Sequence, residues 1–180
     1  MSAMHRFVAA LGCACIQAAA LLAQVVATPA LRVGDRLPDI VGRSLSGHDI
    51  AFPTVNAMRP TVVIISFSRD GGRDAQQWAE RLGADSASSG VDVLVVAELE
   101  SVPRLLRGAV RYTIKRSVPP NLRAHMLILD RNEAAWRQRL AVTSTARAYA
   151  VVVSAVGDVQ WMSTGPCDDA QLAQARAATR

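Results

Sequence analysis

The chain has 180 residues, 51% of them hydrophobic and 19% charged, and a net charge of +5. That length suits an N-terminal leader plus one domain with a real core. Its 20 basic residues include a single lysine, Lys115, and form no run of five or six like charges, which excludes a basic nucleic-acid-binding tail and gives no support to a nucleic-acid partner.

Residues 1–30 form the first unit. Arg6 and the amino terminus are followed by the uncharged stretch Phe7 to Ala27, and small residues close it at Val25-x-Ala27 and Thr28-x-Ala30. This three-part pattern predicts a secretory signal peptide. The alternative is an uncleaved anchor in the inner membrane, since the apolar run could just span a bilayer. The Ala-rich composition and two glutamines favour cleavage, and hence a periplasmic or secreted product. Cleavage removes Cys13 and Cys15 and leaves Cys167 alone, so the mature chain cannot form an internal disulfide.

The second unit, residues 31–180, is expected to be one domain. Ser46-Gly47 separates Ile40 to Leu45 from Ile50 to Phe52 and predicts a small β-hairpin. Thr61 to Ser68 is a β-branched run, expected as a strand buried on both faces. Arg69-Asp70-Gly71-Gly72 should break it. A helix is expected from Arg73 to Ser86 with Ala75, Trp78, Ala79 and Leu82 on one face.

Val91 to Leu99 predicts a second buried strand. A helix follows, with Ser101 as candidate N-cap, Pro103 in the first turn and Leu105, Leu106 and Ala109 as its packing face. Ser117 to Asn121 is a loop and His125 to Leu129 a third strand. A short helix containing Ala134, Ala135, Trp136 and Leu140 comes next. Ala148 to Ala155 and Val159 to Ser163, joined at Gly157-Asp158, predict a closing hairpin. Asp168-Asp169 should cap a last helix through Ala178. Alternating strands and helices imply an α/β fold: a central mixed sheet with a parallel core, a C-terminal antiparallel hairpin and helices on both faces.

This order resembles the thioredoxin-like superfamily, and short motifs in the same order support it. Val33-Gly34-Asp35-Arg36-Leu37-Pro38-Asp39 resembles the opening of the peroxiredoxin-like and thiol-disulfide branches. Arg59 to Phe67 resembles their central strand. Gly157-Asp158-Val159-Gln160-Trp161 with Gly165 resembles their C-terminal hairpin. Those families place a W-C-x-x-C motif where the helix begins, because a helix N-terminus lowers a thiol's pKa. Here the segment Ser68 to Ala75 has no cysteine. The families' cis-proline before the next strand is replaced by Arg147-Ala148-Tyr149. The resemblance therefore implies a member without the redox pair. Arg139 to Val142, Tyr149 to Val151 and Gly157 to Gly165 also resemble the C-terminal part of the thioredoxin-like mitochondrial ATP-synthase assembly factors. That likeness implies an assembly role and a protein partner such as a membrane-complex subunit.

Three candidate sites stand out. Arg69, Asp70, Gly71, Gly72 and Arg73 lie where the superfamily does its chemistry, and two glycines between arginines could leave N–H groups free for an anion or an acidic peptide. The plainer alternative is a turn in which Asp70 or Asp74 caps the helix. Trp161 is a candidate aromatic contact. Cys167, near a helix start, is a possible reactive thiol. His48 and His125 are far apart and no pair has ligand spacing, so no metal and no cofactor are expected. The expected function is an exported, redox-inactive binding or assembly (chaperone-like) module. The alternative is a single-cysteine thiol oxidoreductase or peroxidase using Cys167. Membrane contact is expected only if the leader is uncleaved.

Overall fold

A computed structural model describes residues 29–53, 59–83 and 91–180. The leader, except for its last two residues, lies outside them. No helix among the described residues is long and apolar enough to cross a membrane.

The strands are β1 (Ile40–Ser44), β2 (Asp49–Phe52), β3 (Thr61–Ser66), β4 (Asp92–Glu98), β5 (Met126–Leu129), β6 (Tyr149–Val153) and β7 (Val159–Thr164). The helices are α1 (Arg69–Gly83), α2 (Arg104–Ser117), α3 (Glu133–Arg139) and α4 (Asp169–Ala178), with a 3-10 turn at Pro120–His125 before β5. One seven-stranded sheet runs β2-β1-β5-β4-β3-β6-β7. Its parallel centre is β5-β4-β3, and β6 joins β3 antiparallel, so antiparallel pairing begins one strand earlier than the closing hairpin. β3 is buried along its whole length, as its β-branched run predicts.

α1 and α4 cover one face through Ala75, Trp78, Ala79, Leu82, Leu172 and Ala175. α2 lies over Leu45, Leu99 and Ile128. α3 covers the opposite face through Trp136 and Leu140, with Leu31 and Leu37 from the N-terminal segment. Trp78 is fully buried, and its Nε1 donates to the Gly165 carbonyl at 3.0 Å. That bond answers the cost of burying an indole N–H.

Three local expectations are corrected. α1 starts at Arg69 rather than Arg73, because Ser68 caps it and Gly71 and Gly72 take helical backbone. The expected end at Ser86 lies outside the described residues. α2 has Pro103 as N-cap with no side-chain cap, because Ser101 lies two residues before that position; its N–H donates to Glu133 Oε2 at 3.0 Å. The packing side of α2 is Val110 and Ile114, while Leu105, Leu106 and Ala109 face solvent. Apolar periodicity marks a stripe but not whether anything covers it. In contrast, Asp168 is the N-cap of α4, accepting from the Gln171 N–H at 2.7 Å.

Candidate functional site

The carboxyl end of β3 delivers the chain to the start of α1, and the loop entering β6 passes directly over it. Ser68 Oγ accepts from the Gly71 N–H at 3.2 Å and donates to the Thr145 carbonyl at 2.7 Å. The Gly72 N–H donates to the Ser68 carbonyl at 2.9 Å. Further along the same helix, Asp74 Oδ2 accepts from the Ala148 N–H at 3.4 Å. Asp74 thus ties the loop down rather than capping the helix.

Gly71 is required by this contact. A Cβ there would stand 2.7 Å from the Arg147 carbonyl oxygen and 2.9 Å from that of Thr145, whereas one on Gly72 would meet nothing within 4 Å. The loop is itself fixed by Tyr149. Its hydroxyl accepts from the N–H groups of Thr143 and Ser144 and donates to the Ser144 carbonyl, and its ring meets Phe67 edge-on at 6.0 Å. The chain's own backbone therefore covers Gly71 at the helix start, while the side chains of Arg69, Asp70 and Arg73 stay exposed.

The five residues Arg69 to Arg73 do lie together, as the first turn of α1. The N–H groups of Gly71 and Gly72 are engaged by Ser68, and neither glycine has positive φ. Arg73 pairs with Asp70 at 3.4 Å across exposed side chains. An exposed pair of this kind contributes little, and it uses one of the two cations that the anion site needs. Trp161 is half-buried, its ring tilted against that of Trp78 at a centroid distance of 6.1 Å. Part of its face is committed to the core.

Cys167 is far from the start of α1. Arg81, ten residues beyond Gly71 or roughly 15 Å along the helix axis, donates to the Cys167 carbonyl and to Asp169 Oδ1. The thiol is 1% exposed. Burial pushes its pKa up, and this outweighs the opposing pull of Arg81. The sequence leaves two readings, a thiol activated by a helix N-terminus and a tolerated, half-buried one, and the raised pKa favours the second. Cys167 precedes the cap residue and sits inside the core, where desolvation dominates. Cys167 in the native protein should react with a thiol reagent at pH 8 roughly tenfold or more slowly than a free thiol. Peptide mapping checks this: labelling of Cys167 in buffer as fast as in urea would contradict its burial.

The site that sequence reasoning misses is carboxylate-rich. Glu98, at the end of β4, is 3% exposed. Its Oε1 accepts from the Glu100 N–H at 3.1 Å and its Oε2 has no partner among the described residues. Nearby, Glu100 Oε2 accepts from the Glu133 N–H at 2.6 Å, opposite the Glu133-to-Ser101 bond. Burial pushes the Glu98 carboxyl up to about 7.

The sheet order and the placement of α1 after the central strand define a thioredoxin-like fold. Solved structures share this fold at low sequence identity. A protein assigned as the thiol:disulfide interchange protein DsbE of Chlorobium tepidum superposes with a TM-score of 0.64 at 14% identity, covering 84% of this chain and 100% of that one. A peroxiredoxin-like protein of Aquifex aeolicus gives 0.57 at 14% identity, covering 84% and 90%. BsSco, of the Sco family of cytochrome c oxidase assembly proteins, gives 0.56 at 7% identity, covering 83% and 96%. At such identities the likeness establishes the fold. No family model and no curated protein sequence matches the chain.

Proposed function

We propose that this chain is an exported, redox-inactive thioredoxin-like protein that acts as a binding or assembly module. The sealed start of α1 carries this reading. Where the redox relatives need an accessible thiol, this chain has Gly71 under the carbonyls of Thr145 and Arg147. Its one cysteine outside the leader, Cys167, is buried beside the far half of the helix. The likeness to BsSco, from a family of assembly proteins, supports an assembly role. So does the resemblance of residues 139–165 to the ATP-synthase assembly factors. The partner is then a protein such as a membrane-complex subunit, with the exposed first turn of α1 as one contact. The pattern of residues 1–30 supports periplasmic placement or secretion, and N-terminal sequencing of the native protein separates this from an inner-membrane anchor.

An insulin-disulfide reduction assay tests the reading. The purified protein should give the uncatalysed rate. Turnover lost in Cys167→Ala would establish the single-cysteine oxidoreductase in its place. Turnover that survives this substitution would overturn both.

A further inference from the structure

The chain's basicity is concentrated on α2. This helix, RLLRGAVRYTIKRS, carries Arg104, Arg107, Arg111, Lys115 and Arg116 and no acidic residue. Its five positive charges equal the net charge of the whole chain, so the other 15 basic residues balance the 15 acidic ones.

The side chains of α2 sort cleanly at 3.6 residues per turn. Val110 and Ile114 face the core. Leu105, Ala109, Tyr112 and Arg116 lie on the opposite side, and Arg104, Arg111 and Lys115 run along one flank. Leu105 is 97% exposed, Tyr112 62% and Leu106 55%. Arg107 is turned in to the carbonyls of Val102 and Glu100, and Arg116 sits over the Tyr112 ring at 5.9 Å. The side chains of Arg104, Arg111 and Lys115 make no hydrogen bond or ion pair among the described residues. Arg111 and Lys115 also line a cleft of about 150 Å³ with Arg43 and Ser44 of β1 and Ser46 and Gly47 of the turn after it, and none of the described residues lining it is acidic.

We propose that α2 docks the protein on an anionic lipid surface. Leu105 and Tyr112 enter the interface, and Arg111 and Lys115 take lipid phosphates beside the cleft, where Arg43 is paired with Asp49 at 3.2 Å. An apolar ridge flanked by cations of one sign is what an interfacial helix needs. The ridge is convex, the outer side of a lone helix. A protein partner would have to supply a matching groove, whereas a lipid surface conforms to it. This contact goes beyond the binding role proposed above. It needs neither the leader nor the start of α1, and it can fail while the insulin assay still gives the expected result.

The test is co-sedimentation of the full chain with vesicles of phosphatidylcholine, alone or with about 30% phosphatidylglycerol. The apolar leader can bind either vesicle, so the ratio of anionic to neutral binding is read rather than the total. The expected ratio is about tenfold or more, falling toward one as salt is raised to about 0.5 M. Arg111→Gln with Lys115→Gln should lower it roughly tenfold. Both residues are exposed, and circular dichroism confirms that the variant folds. Anionic vesicles should also slow trypsin cleavage after Arg104, Arg111 and Lys115. A ratio of one, a ratio unchanged in the double variant, or unslowed cleavage would overturn the proposal. Capture of an acidic protein by α2 with a vesicle ratio of one would overturn it in favour of a protein partner.

Discussion

Glu98→Gln should stabilise the protein at pH 8 by about 2 kcal/mol and change its stability little near pH 4. Glu98 is buried at the end of β4, with one oxygen bonded to the Glu100 N–H and the other unpartnered among the described residues. Burial is the main cause that raises its carboxyl from 4.5 to about 7, and the negative charges of Glu133 and Glu100 add to it. The Glu100 N–H pulls the other way and does not win. A raised folded pKa means that the native state holds its proton more tightly than the unfolded chain does. The stabilising term is therefore complete below about 4.5 and is lost as pH rises through about 7. The shift corresponds to roughly 3 kcal/mol at most, and relaxation around the charged form lowers the realised value. Gln keeps an acceptor for the Glu100 N–H and carries no charge at any pH. Urea unfolding of both proteins from pH 4 to 8 reads the effect as a gap that opens with rising pH. Parallel stability profiles would show that Glu98 is solvated in the fold. The charged groups facing it would then need another account, namely Glu100 across the turn and Glu133 with its partner Arg137 on α3.

Much of this architecture is legible in the amino-acid sequence. The runs at Thr61 to Ser66 and Asp92 to Glu98 are β-branched and uncharged in their middles, which suits strands covered on both faces. The hairpin turns and the Asp168 cap are local chemistry and are equally legible. What the sequence hides depends on neighbours distant along the chain. Two adjacent glycines suggest a break in the chain, yet Ser68 and the loop 145–147, some 75 residues away, make them the first turn of a helix. Glu98 reads as the polar end of a strand, because nothing local indicates that α3 and the turn after β4 close over it. Cys167 reads either as a thiol at an electropositive helix end or as a half-buried bystander, and only its burial against α1 and α4, which raises its pKa, separates the two. The charge on α2 is the exception. Counting charges by element rather than by runs exposes it, since its arginines are spaced by the helix and not adjacent in sequence.

Gly71→Ala should cost about 1–3 kcal/mol, while Gly72→Ala should be neutral or gain up to about 1 kcal/mol. Both positions are helical, so intrinsic propensity favours alanine at each. Only at Gly71 would the new methyl collide, at 2.7 Å and 2.9 Å from two backbone carbonyl oxygens. A backbone carbonyl cannot swing aside like a side chain. The loop 145–147 would have to lift, breaking the Ser68-to-Thr145 bond and straining the Asp74-to-Ala148 bond. The two variants thus separate contact from propensity within one turn. Urea midpoints measure the difference, and hydrogen exchange at Ala148 reports whether the loop has moved. Equal stability of the two variants would mean that the loop does not rest on α1. The sealed helix start would then be open, and with it would fall the observation on which the redox-inactive reading stands. If Gly71→Ala alone is destabilised and Ala148 exchanges faster, the loop 145–147 rests on the first turn of α1 and leaves no room there for a side chain.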